Sequence, residues 1–341
     1  MEKALVYKAD DRSILLPYYK RFCVEPTLPF IPARIHPNVI THFGHVVNLC
    51  AVALLALMRP RHGWVFIASM LLLQIYNWAD NADGAHARRT RQSSAFGEFL
   101  DHGLDVLNTT YIGLMTVLSI DSSHEWAIVL SIIIPGAASL TYWEQAETGI
   151  FRLGLLNQIE SIMVLSVIMI IDAVVGVDVL HRIAIGPVTA WHFLHVWPLV
   201  TILFGMGRGL MRVRAAGKPV SPALAFLALH SLIFAAGYLH QLSTLAAVAI
   251  AVTVNVFWGA RMLSRRLAGE SPRVEPALLV GLAAMGGYMA LRTMGLSLTN
   301  EQGMGLAAMV CTCYAGCSVH AAREGIASLE RPAPEASRQT A

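Results

Sequence analysis

Ten separate stretches of this 341-residue chain are apolar over about the twenty residues that a helix needs to cross a bilayer. They lie at 38–58, 63–83, 97–120, 125–143, 159–179, 189–211, 221–239, 242–263, 275–292 and 302–320. In hydrocarbon a single segment satisfies its own backbone groups only as a helix. The expected fold is therefore all-α and integral to the membrane, with about ten transmembrane helices. Composition agrees: 14% of residues are charged, against about 25% in soluble domains, and mean hydropathy is +0.56. A net charge of +3 argues against a nucleic-acid partner.

The first 37 residues are rich in charge and proline and contain no secretory signal peptide. Within them Ile14 to Ile31 mixes apolar residues with Lys20, Arg21 and Glu25, the pattern of a helix lying at the membrane surface. With the N-terminus in the cytoplasm, every Lys and Arg except Arg59, Arg61, Arg182 and Arg292 falls on the cytoplasmic side. The segment after Ser328 reads as a disordered tail.

The second and third stretches meet at Asp80-Asn-Ala-Asp83-Gly84-Ala-His-Ala87-Arg88, followed after eight residues by Gly97-Glu98-Phe-Leu-Asp101-His102-Gly-Leu-Asp105. On helices, Asp80 and Asp83 share a face, and Glu98, Asp101, His102 and Asp105 form one stripe. Ionisable groups in membrane helices are costly and face a cavity or a partner. Clustered carboxylates repel unless cations neutralise them, and hard oxygen ligands select Mg²⁺, Mn²⁺ or Ca²⁺. An aspartate cluster beside glycines and an arginine suits metal-assisted phosphoryl transfer. Arg88 would fork onto phosphate, while Gly84 and Gly97 allow close approach. The plain alternative is ion pairing of these carboxylates with Arg88, Arg89 and Arg91.

The segment resembles, at every fixed position, the signature of the CDP-alcohol phosphotransferase family, D-x2-D-G-x2-A-R-x8-G-x3-D-x3-D. The matching residues are Asp80, Asp83, Gly84, Ala87, Arg88, Gly97, Asp101 and Asp105. This resemblance implies a transmembrane helical fold, usually dimeric, and a Mg²⁺- or Mn²⁺-dependent displacement of CMP from a CDP-alcohol. Asp80, Asp83, Asp101 and Asp105 would hold one or two ions. Ala87-Arg88-Arg89-Thr90, Ser93-Ser94 and Asp101-His102-Gly103 look like the choline/ethanolamine phosphotransferase branch. Pro37-Asn38, Thr41, Gly44 and Asn48 resemble its first-span pattern, and no arginine stands between His42 and Leu57.

That branch implies transfer of phosphocholine or phosphoethanolamine from CDP-choline or CDP-ethanolamine to the hydroxyl of a diacylglycerol-type lipid. Glu98 and His102 would act together as the base, with Asp105 the alternative. The expected organisation is an interfacial segment at 1–37, a catalytic core at 38–180, further helices at 181–325 with a lipid pocket and dimer contacts, and a tail at 326–341. The active site is expected near the cytoplasmic face, in a bacterial inner membrane rather than an endoplasmic reticulum. Asn38, Gly84, Ala87, Arg88, Gly97, Trp143 and Glu144 are the expected substrate contacts. Glu144, Glu147 and Glu160 would meet the donor's ammonium, with Tyr142 or Trp143 in cation–π contact, or else form a solvated face.

Rival readings are a CDP-diacylglycerol-dependent phosphatidyltransferase with a soluble alcohol acceptor and, more remotely, a cation-coupled transporter. Cys311, Cys313, Cys317 and His320 resemble a metal set only superficially, because Cys311 and Cys313 point about 200° apart on a helix. His192 and His195 read as interfacial, and Gly205-x-Gly207-Arg208-Gly209 reads as close helix packing.

Overall fold

A computed structural model describes residues 8–58, 63–154, 157–176, 178–296 and 299–330. In chain order it contains strand β1 (Lys8–Asp11) and helices α1 (Leu16–Tyr19), α2 (Pro37–Met58), α3 (Trp64–Thr90), α4 (Ala95–Ser119) and α5 (His124–Thr148). Strand β2 (Ile150–Leu153), helices α6 (Gln158–Val175) and α7 (Val179–Arg182), and strands β3 (Ala184–Ile185) and β4 (Val188–Thr189) follow. The remainder is α8 (Ala190–Ala215), α9 (Ser221–Tyr238), α10 (Thr244–Ala268), α11 (Pro276–Thr293) and α12 (Asn300–Glu330).

The ten helices other than α1 and α7 run for 18 to 31 residues, and each covers one of the expected spans. Seven of them are long and apolar enough to cross a membrane by length and composition. The other three are α3, α4 and α11. The first two owe their polarity to the aspartate motif; α11 carries Arg292 and three glycines among its 18 residues. Together with the apolar surface this is an integral membrane protein. Exposed Val164, Val167 and Val174 on α6 and Phe193, Val200 and Phe204 on α8 are side chains that only lipid or a partner would cover.

Buried side chains fall into two main groups that meet at α4. Val106 on α4 packs with α5, α9, α10, α11 and α12, whereas Ile112 and Met115 pack with α2, α3 and α6. Packing therefore runs across residue 180, and α10 lies directly on α4: a Cβ on Gly259 would stand 2.9 Å from Val106. The α2–α3 seam is equally close, because a Cβ on Gly44 would stand 2.9 Å from that of Ala79. Buried Asn48 stitches α2 to α4 through the Asn108 side chain at 3.2 Å.

The connection between α3 and α4 is short. Arg91 closes α3 in the left-handed region (φ 59°), and Ser94 caps α4 by accepting from the Gly97 amide at 3.0 Å. This turn sets both halves of the motif side by side at one end of the bundle.

The N-terminal segment departs from the expected single helix. Its prolines break it into α1, a π-turn at Lys20–Val24 and a 3₁₀ turn at Leu28–Phe30, with Tyr18, Phe22 and Phe30 exposed. Strand β1 pairs in parallel with β2, a ladder no local pattern announced. Glu160 of α6 then anchors the strap: its Oε1 accepts from Ser13 Oγ at 2.6 Å and from the Ile14 and Leu15 amides at 2.9 Å. Trp78, His86 and Arg89 of α3, with Gln92 just beyond it, hold Thr27, Ile35, Ile31 and Ala33. Glu160 is thus a structural clamp, neither a contact for the donor's ammonium nor part of a solvated face. At the other end α12 stays helical through Glu330, into the expected tail; residues 331–341, like Lys3, Arg59 and Arg61, lie outside the described residues.

Removing this carboxylate leaves two amides and a hydroxyl without their acceptor. Glu160→Ala should lower the strap's opening free energy by at least about 2 kcal/mol. Hydrogen exchange of the Ser13–Leu16 amides should accelerate about thirty-fold, with α9 and α10 unchanged. Equal protection in both proteins would show that the strap is held without Glu160.

Candidate active site

The paired ends of α3 and α4 bring Asp80, Asp101 and Asp105 together, with one oxygen from each lying within 4.8 Å of the others. All three are half-buried. Asp83 is buried on the adjoining turn, with Oδ2 accepting from Thr41 Oγ1 of α2 at 2.6 Å and Oδ1 accepting from the Gly84 amide. Among the described residues no Lys or Arg reaches ion-pair distance of any of the four. Their partners are neutral donors. Tyr76 (3.3 Å) and Gln158 (3.1 Å) donate to Asp80, and Tyr142 donates to Asp105 at 3.1 Å.

The plain ion-pair reading therefore fails. Arg89 spends its guanidinium on the Ile31 carbonyl and His86. Three clustered carboxylates between apolar helices must be neutralised, by protons or by a cation. One oxygen, Asp105 Oδ1, is shielded from solvent and has no hydrogen-bond partner among the described residues. An all-oxygen donor set with a free buried ligand atom fits a hard divalent ion. No other cluster of this kind occurs among the described residues, and Cys311, Cys313 and Cys317 are free cysteines.

His102 is buried, 6% exposed, and its ring stacks on Phe151 of β2 (5.4 Å between centroids) beside Tyr142 (5.3 Å). The same tyrosine thus supports the imidazole and anchors Asp105. Glu98, expected beside His102, forms an ion pair with Arg266 of α10. Asn38, half-buried at the start of α2, faces Gly97: a Cβ there would stand 3.4 Å from Asn38 Oδ1. Likewise a Cβ on Gly84 would stand 3.4 Å from Arg88 Nη1, which places that guanidinium over Gly84. Ala87 is buried on the same helix.

Two residues expected to contact substrate, Glu144 and Trp143, are buried. Glu144 is 4% exposed and receives Arg212 in a fork (2.6 and 2.7 Å) plus Arg152 at 3.2 Å, so its charge is neutralised inside the protein. Trp143 is 1% exposed in the core; with Tyr142 aimed at Asp105, its neighbour points about 100° away. Sequence reasoning also missed Tyr76, Gln158, Phe151 and Arg266. Gln158, Phe151 and Arg266 come from elements distant in sequence, whereas Tyr76 stands one helical turn before Asp80 on α3, a spacing that helical periodicity could have found.

Against this geometry stand the similarities to known proteins. The sequence model of the family described as CDP-alcohol phosphatidyltransferase matches residues 34–254. Cholinephosphotransferase 1 of Danio rerio is 30% identical over 182 residues, half of this chain and 47% of that protein. The rat protein of the same name is 29% identical over 177 residues, covering 50% and 44%. Choline/ethanolaminephosphotransferase 1 of Saccharomyces cerevisiae is 27% identical over 205 residues, covering 55% and 50%. The chain spans about half the length of the curated relatives it matches.

Removing one ligand oxygen should weaken ion binding without unfolding the bundle. Mn²⁺ should raise the thermal midpoint of the detergent-solubilised protein, and Asp101→Asn should abolish that shift while the metal-free midpoint stays within a few degrees. An undiminished Mn²⁺ shift in the variant would remove Asp101 from the ligand set.

Proposed function

The chain belongs to the CDP-alcohol phosphatidyltransferase family, and from that premise we propose that it transfers phosphocholine or phosphoethanolamine from a CDP-alcohol to the hydroxyl of a diacylglycerol-type lipid, releasing CMP. One observation carries the reading: Asp80, Asp101 and Asp105 cluster within the bundle beside Asp83, neutral groups donate to Asp80, Asp83 and Asp105, and no Lys or Arg among the described residues reaches ion-pair distance of them. The relatives named as choline and choline/ethanolamine phosphotransferases support the donor class. So does the Asp101-His102-Gly103 wording of α4.

Asp80, Asp83, Asp101 and Asp105 would hold one or two Mg²⁺ or Mn²⁺ ions. When bound, such ions would neutralise the donor's diphosphate and the charge developing on departing CMP. Arg88 would bind phosphate oxygens over Gly84, and Asn38 would border the donor beside Gly97. The lipid hydroxyl attacks the phosphorus bearing the small alcohol in line with the departing CMP oxygen. His102 takes the hydroxyl proton. Phe151 and Tyr142 fix the plane of its ring, while Asp105 accepts from Tyr142 and would also hold an ion when one is bound, which argues against the aspartate as base. Glu98 lies on the same stripe of α4, tied to Arg266, and its carboxylate steadies that end of the helix.

In the proposed topology the site opens toward the cytoplasm. The apolar groove between α6 and α8, lined by Met163, Val167, Ile171, Leu180 and Phe193, suits an acyl chain. A homodimer belongs to the same proposal.

The full chain in nanodiscs, supplied with Mg²⁺ or Mn²⁺ and diacylglycerol, should release CMP from CDP-choline or CDP-ethanolamine. His102→Ala and Asp83→Ala should each lower turnover at least 100-fold while remaining membrane-inserted. Preferential consumption of CDP-diacylglycerol would overturn the donor assignment. Near-normal turnover in His102→Ala would promote Asp105 to base.

A further inference from the structure

The C-terminal ends of α5 and α10 leave a recess of about 270 Å³ between them, bordered by Gln145, Gly149, Arg266, Gly269 and Glu270. Gln145 is fully buried, yet neither polar atom of its side-chain amide has a hydrogen-bond partner among the described residues. An unpaired buried amide is costly, which points to a partner supplied from outside the chain.

Two sets of contacts tie the recess to the aspartate site. On α5, Gln145 follows Tyr142 by three residues and shares its face, and Tyr142 donates to Asp105 and packs beside His102. On the opposite wall Arg266 pairs with Glu98, which precedes His102 by one turn of α4. The recess thus lies about one helical turn, roughly 4.5 Å along α5, beyond the groups that surround the imidazole.

Charge selects its occupant. Helix C-termini carry partial negative charge, and the recess lies against two of them, closed by Gly149 and Gly269. The guanidinium on its wall, Arg266, is engaged by Glu98. At and behind the rim, Arg261 and Arg265 face three carboxylates, those of Glu270, Glu275 and Glu324. A cation therefore suits this place better than an anion. No aromatic ring is among the described residues that line it, so it offers no cation–π platform to a quaternary ammonium. A primary ammonium has N–H groups to donate to Gln145 Oε1 and to the Glu270 carboxylate.

We propose that this recess receives the ammonium of the donor's alcohol, with Gln145 Oε1 as its acceptor, and so favours a primary ammonium, as in CDP-ethanolamine, over a quaternary one. The assignment rests on the reading above that the donor is a CDP-alcohol. The neighbouring Glu144 does not serve this role, because Arg212 and Arg152 already hold it. Gln145 is one residue further along α5 and is left unpaired by the same packing.

The test is turnover by the full chain in nanodiscs with Mg²⁺ and diacylglycerol, comparing CDP-ethanolamine with CDP-choline. CDP, which lacks the alcohol, serves as a competitor. The native protein should favour CDP-ethanolamine in kcat/KM by at least about ten-fold. Gln145→Leu fills a similar space without an acceptor; it should raise KM for CDP-ethanolamine about ten-fold, with no comparable change for CDP-choline or for inhibition by CDP. Gln145→Glu should keep the preference, since a carboxylate also accepts from an ammonium. A merely structural role for Gln145 would weaken both donors and CDP alike in Gln145→Leu, and that result overturns the proposal. So does an unchanged KM for CDP-ethanolamine in that variant, or a native preference for CDP-choline. Failure of the native protein to use either donor would instead overturn the CDP-alcohol reading itself.

Discussion

The structure is organised around negative charge that the protein itself does not neutralise. Asp80, Asp101 and Asp105 converge from two helices to within 4.8 Å, and hydroxyl and amide groups, not arginines, surround them. Neutral donors orient a carboxylate without consuming its charge, so the cluster keeps its attraction for a hard cation. Such an arrangement persists only if the helices bearing it cannot move apart. The Gly44–Ala79 approach, the Asn48–Asn108 bond and the short Arg91–Ser94 connection keep α2, α3 and α4 in register.

Elsewhere at the same end of the bundle, charge is handled in the opposite way. Glu144 is forked by Arg212 and touched by Arg152, Glu275 is shared by Arg261 and Arg265, and Glu98 is tied to Arg266. These pairs tie α4, α5, α8 and α10 together around the aspartates. Breaking one partner of a buried pair costs several kcal/mol, so they form a rigid frame. The contrast between compensated glutamates and uncompensated aspartates separates structural charge from charge available to a ligand.

The strap adds a third component. It is anchored through β1–β2 pairing and Glu160, and it packs against α3, the helix that carries Asp80 and Asp83. Strand β2 has a second use, because Phe151 stacks on His102. One short parallel ladder therefore couples the strap to the imidazole that borders the aspartates.

Much of this was legible in the residues alone. Hydrophobic stretches of spanning length marked all ten long helices, since in hydrocarbon backbone bonding within a single segment leaves only the helix. The i, i+3 and i, i+4 spacings of the motif placed the aspartates on shared faces, because helical periodicity is local. What a carboxylate binds is not local. From sequence, Glu144 and Glu160 could meet an ammonium or form a solvated face; packing brings Arg212 from α8 to the first and the strap's amides to the second. Tyr142 and Trp143 are neighbours in sequence, yet the rotation of α5 sends one to Asp105 and the other into the core. Sequence by itself determined the membrane fold and the aspartate cluster, which follow from composition and periodicity within a segment. Tertiary structure alone decided which charges are already paired and which remain to be met, because the partners lie on helices that sequence spacing does not relate.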